Sequence, residues 1–295
     1  MLSGLTFDLV ALQLFTGLAL GAVYVLLSVG LSLIFGMLTV VNFAHGAFYM
    51  LGGYVGVMLA MRGGNFWVCL VAVPLVVGAI GLAVERTLIR PLYGRGIDYP
   101  LLLTFGLGYI LVECVRIAFG TTGYPFDTPD LLQGAVDIGV GYFPAYRLFV
   151  IAMTALVLLG LWLFLERTSF GLIIRAGARD PQIVRVLGVD VAKVWLIVFG
   201  LGTGLAGLAG LLAAPLQGVS PDMGSTILAE AFVVTVVGGM GSLLGAVVAG
   251  LLVGVVVSMT SLVAPEMAKV SIFVLMAAVL LLRPQGFFGR AGLMS

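Results

Sequence analysis

The residues best suited to chemistry fall in a few places, and none of these is a catalytic set. The first is Phe170–Asp190, FGLIIRAGARDPQIVRVLGVD. Asp180 followed by Pro181 is a helix start: the carboxylate accepts from the first unpaired N–H groups, and a proline there has no N–H to lose. Gly188 supplies the stop. The spacing predicts a helix of about two turns over 181–187. Its apolar face is Ile183, Val184, Val186 and Leu187. Such a face in a polar connection must bury against something. Two readings stay open, a docking helix for a partner protein and a helix lying on a lipid surface.

The second place is Asn42 and His45, in VNFAHG. Three residues apart, they are expected to share a helix face. Polar side chains within apolar stretches face a bundle interior or a water-filled cavity. They either line a pathway or make an interhelical hydrogen bond that fixes packing. The third is Glu230, one turn inside its stretch, followed by GGMGSLLG at 238–245. An acid at that depth can bind a solute ammonium group, sense a proton, reach the interface or pair with a neighbour. The glycine run lacks the Lys-Ser/Thr of a phosphate loop. Gly238, Gly239 and Gly241 are read as a hinge that allows a tight bend and close helix approach. Asn42, His45, Glu230 and these three glycines are the candidate lining of a translocation path. Glu113 and Arg116, one turn apart, are expected to form a local pair.

The chain has one His and two Cys, too few for a conventional zinc or iron–sulfur site. No nucleophile–base constellation surrounds the histidine. An enzyme is therefore not expected, and no cofactor is implied.

What positions these residues follows from composition. Of 295 residues, 62% are hydrophobic and 9% charged, and 42 are Gly. Soluble domains carry about 25% charged residues; this chain cannot cover a surface facing water. A net charge of +1 gives no reason to expect a nucleic-acid partner. Apolar stretches run over 9–36, 43–61, 66–84, 99–119, 147–165, 192–214, 226–240, 242–262 and 268–282. They do not alternate as barrel strands would. In lipid each backbone polar group must be paired within its own segment, so they are helices. The expected fold is all-α, a polytopic transmembrane bundle of about 8–10 segments, some short or broken. The stretch 9–36 is expected to be broken by Gly17, Gly21, Gly30 and Gly36; 226–240 and 268–282 are short. No boundary divides the chain, so 1–295 is read as a single transmembrane domain. The segment before Asp8 has no basic region, and a cleaved leader is not expected.

Ten of the fourteen basic residues lie in 85–98, 166–193 and the tail, which holds Arg283 and Arg290. If the nine stretches alternate, these connections share one side. That side is the cytoplasm by the positive-inside rule. The N-terminus is then external, the C-terminus internal and 120–146 external.

Five passages resemble a known family. They are GLALGAVYVLLSVGLSLIFGM at 17–37, NFAHGAFYMLGGYVG at 42–56, RAGARDPQIVRVLGVD at 175–190, EAFVVTVVGGMGSLLGAVVAGLLVG at 230–254 and LLLRPQGFFGR at 280–290. In this order they resemble the NFAHG-bearing permease subunit of the high-affinity branched-chain amino-acid importers driven by ATP-binding cassettes. The resemblance implies a second related permease, two cytoplasmic ATPases, an external (periplasmic) substrate-binding protein and an inner-membrane location. It favours the docking reading of 180–188. ATPase coupling is then expected at Arg175, Asp180, Ile183, Val184, Leu187 and Gly188. Arg175-Ala176-Gly177 stands where the better-known coupling motif has Glu-Ala-Ala. The rival readings are an ion-coupled secondary transporter and a passive channel for a small polar solute.

Overall fold

The computed structural model describes residues 6–96 and 98–289. Arg290, counted above with the basic tail and the last motif, lies outside them. Helix α1 spans Phe7–Leu38, α2 His45–Met61 and α3 Phe66–Val84. A π-turn at Glu85–Ile89 and a 3-10 turn at Arg90–Leu92 extend α3. Helix α4 spans Asp98–Phe119, and β1 (Ala135–Asp137) pairs antiparallel with β2 (Tyr142–Pro144). Then come α5 (Ala145–Arg167), α6 (Ser169–Gly177), α7 (Pro181–Val186), α8 (Val191–Gln217), α9 (Met223–Gly238), α10 (Leu243–Val263) and α11 (Ala268–Leu282).

Seven of these segments are long and apolar enough to cross a membrane, and α2 and α9 are apolar but shorter. This is a multi-pass helical membrane bundle, as expected. The small hairpin in 120–146 was not foreseen; it buries Phe143 against Phe15 of α1.

One expectation about the spans fails. The stretch 9–36 is not broken: α1 runs unbroken for 32 residues. Its glycines are contact points rather than hinges. A methyl group on Gly21 would meet the backbone of Gly250 and Leu251, and one on Gly30 the Gly202 carbonyl. Backbones can approach this closely only where side chains are absent. Helices α1 and α8 form the centre, with 83% and 78% of their apolar cores buried. Only 17% is buried in each of α4, α5 and α11, which leaves their apolar faces to lipid or a partner.

The sequence-remote basic connections meet at one end of the bundle. A cavity of about 450 Å³ there is lined by Leu38, Tyr93, Arg179, Pro181 and Trp195, among others. Arg90 reaches Glu85 and donates to the Ala192 carbonyl at the start of α8. The tail joins the same end: Phe288 N–H donates to the Gly238 carbonyl, and Gly241 packs on Gly36.

Candidate functional site

At the basic end, the segment 170–190 folds as its sequence signals require. The Asp180 carboxylate accepts from the backbone N–H of Gln182 and Ile183 at 2.9 and 3.0 Å. Gly188 adopts φ 82°, closing the helix. Ile183, Val186 and Leu187 are 59%, 87% and 76% exposed. Val184 is not part of that exposed face. It is buried, so a four-residue apolar face is really one anchor and three outward side chains. Arg175 also turns inward: it ion-pairs with Glu166 at 2.6 Å and donates to the Leu165 carbonyl. It thereby ties α6 to the end of α5. Asp190 caps α8, and the hydrogen bond from Lys193 holds its carboxyl below the usual range. Nearby, burial and a hydrogen bond donated to Glu85 push the Tyr93 hydroxyl well up from its ordinary value.

Toward the opposite end lies a cavity of about 470 Å³. Five helices supply its walls: Thr16, Val23 and Tyr24 from α1, Tyr49 from α2, Arg147 from α5, Gln217 from α8 and Glu230 from α9; Lys269 of α11 adds a sixth. The Gln217 amide donates to the Tyr49 hydroxyl at 2.9 Å. The Tyr24 hydroxyl and the Glu230 carboxylate border the same cavity. Arg147 donates to Thr16 Oγ1 at 3.0 Å, which fixes the guanidinium against α1. Ala19, Leu20, Ala213 and Ile227 complete an apolar wall. Such a pocket, mostly apolar with a few convergent polar groups, is of the kind that holds a small solute; these commonly measure about 300–1,000 Å³.

Of the six residues expected to line a path, only Glu230 lines this cavity. It sits about two turns inside α9 rather than one, because the helix starts at Met223. Asn42 and His45 do not share a helix face, since α2 begins at His45 and Asn42 precedes it. Both are wholly buried. Asn42 Oδ1 accepts from Ala44 N–H at 3.1 Å, and His45 Nε2 lies 2.9 Å from the Leu27 carbonyl. Gly238, Gly239 and Gly241 form the α9–α10 turn at the basic end, with φ 98° at Gly239 and 79° at Gly241. The Glu113–Arg116 pair is present, but Arg116 also reaches Asp222.

Sequence reasoning missed Tyr24, Tyr49, Arg147, Gln217 and Lys269. One signal was available. Arg147 and Lys269 are two of only four basic residues outside the basic connections.

The family model described as Branched-chain amino acid transport system / permease component matches residues 13–280. The chain is 33% identical to the high-affinity branched-chain amino acid transport system permease protein BraD of Pseudomonas aeruginosa, over 94% of this chain and 95% of that one. It is 30% identical to the corresponding LivH protein of Escherichia coli K12, with the same coverage. It is also 32% identical to the LivM permease protein of Salmonella typhimurium, over 78% of this chain and 59% of that protein. No solved structure matches. With the match running through α1 to α11 and near-complete overlap with BraD and LivH, the chain belongs to the family of branched-chain amino acid transport system permease components.

Proposed function

We propose that this chain is one of two related permease subunits of an importer powered by ATP-binding cassettes, and that its solutes are branched-chain or related amino acids. The observation that carries the motor part is the exposed apolar face of α7. Ile183, Val186 and Leu187 project from a capped helix at the basic end. The positive-inside rule makes that end cytoplasmic, where two ATPase subunits would grip it. The chain would lie in the inner membrane with its N-terminus outside and C-terminus inside, as one transmembrane domain. It supplies the path and no catalytic group. A periplasmic binding protein would deliver solute to the opposite end, where the hairpin and the mouth of the Glu230 cavity lie. Relatives of both the LivH and LivM types support pairing with a second permease.

The test is reconstitution of the chain with its partner permease, ATPases and loaded binding protein in liposomes. Leucine accumulation is expected only with hydrolysable ATP inside the compartment that corresponds to the cytoplasm. Accumulation without nucleotide that collapses under an uncoupler would instead establish an ion-coupled carrier.

A further inference from the structure

Three charged side chains line the Glu230 cavity without pairing with one another. Glu230, Arg147 and Lys269 all border it, and none makes an ion pair among the described residues. The fourth charge, Asp222, is already bound to Arg116 at 2.6 Å. Of the three, Glu230 stands about two turns inside α9, and an unpaired acid at that depth is costly and marks a solute or ion pathway, whereas Arg147 and Lys269 stand at the cavity's outer rim. The two signs are also set apart. Glu230 lies within α9, across the cavity lining it shares with Tyr24, whereas Arg147 and Lys269 come from the first turns of α5 and α11. Lys269 and Glu230 border the same cavity but stand beyond ion-pair distance. A small solute bearing both charges would complete all three groups at once, with its apolar side chain on Val23 and Ile227.

We propose that this cavity is a zwitterion subsite within the permease itself: Glu230 with Tyr24 takes the ammonium group, and Arg147 with Lys269 takes the carboxylate of an aliphatic α-amino acid. Selectivity is then not left wholly to an external binding protein. The solute enters ammonium first, toward the deeper carboxylate. This rests on the importer reading for its choice of solute, but the charge geometry is independent of how transport is powered.

The test uses the assembled complex without its binding protein and three radiolabelled probes. These are leucine, 3-methylbutylamine, which lacks the carboxylate, and 4-methylpentanoate, which lacks the amine. Leucine should bind about 10-fold or more tightly than either, as expected for loss of a charged hydrogen-bond partner. Glu230→Gln should weaken leucine and the amine by about that factor and leave 4-methylpentanoate unchanged. Arg147→Gln with Lys269→Gln should weaken leucine and 4-methylpentanoate and spare the amine. A merely structural role would weaken all probes alike, and that result would overturn the assignment. So would absence of leucine binding in an unaltered complex that still imports leucine when its loaded binding protein is added. Charge-selective binding by a complex that imports no leucine would keep the subsite and defeat the importer reading.

Discussion

Arg116 of α4 bridges two acids on different elements, donating to Glu113 within its own helix and to Asp222, the residue before α9, each at 2.6 Å. Asp222 borders both the Glu230 cavity and another of about 310 Å³ between α2, α4 and α9. The pair therefore clasps the otherwise loosely buried α4 to the helix that carries Glu230. Solvent reaches all three side chains, so the energetic value is modest. Arg116→Gln should lower the stability of the purified chain only slightly. Distances between spin labels on α4 and α9 should nonetheless broaden. An unchanged distribution would mean that apolar packing alone holds the two helices.

The two faces of α7 should respond differently to the same substitution. Leu187→Asp places a charge where the side chain is already 76% exposed, so the fold is retained while ATPase subunits no longer co-purify. Val184→Asp forces a charge into a buried position, and should destabilise the permease by several kcal/mol, about the cost of an unpaired buried polar group or more. Co-purification of ATPases with a well-folded Leu187→Asp chain would remove the docking role. Asp180→Ala, which deletes the cap, should cost about 1 kcal/mol and speed hydrogen exchange within 181–187.

His45 is held by a backbone carbonyl, which can only accept, so its Nε2 carries the proton. The ring is wholly buried, and its Cε1 lies against Gly30. His45→Ala should remove this hydrogen bond and leave a void where α1, α2 and α8 meet, at a cost of about 2–5 kcal/mol. Thermal unfolding in detergent measures this. Lost leucine uptake at unchanged stability would instead give the ring a direct part in the path.

Much of the architecture was legible because it is written in local signals. Apolar runs placed the membrane segments, and the pairing of Asp180-Pro181 with Gly188 placed α7. Both depend on groups within a few residues of one another, where backbone hydrogen bonding and solvation decide the outcome. The uneven distribution of Lys and Arg likewise grouped the connections that the structure brings to one end.

Other features were decided by contacts that no local pattern contains. Gly30 could have been a break or a contact, and its approach to Gly202 on α8 made it a contact. Val184 and Leu187 are equivalent as sequence, but packing buries one and exposes the other. Glu230 was visible as an isolated acid. Its companions Tyr24, Tyr49, Arg147, Gln217 and Lys269 are scattered over the chain, and the small-residue crossings of α1, α2, α8 and α10 bring them around one cavity. Helix propensity and hydrophobicity act along the chain. The site depends on which helices can approach closely, and that is a property of the assembled bundle.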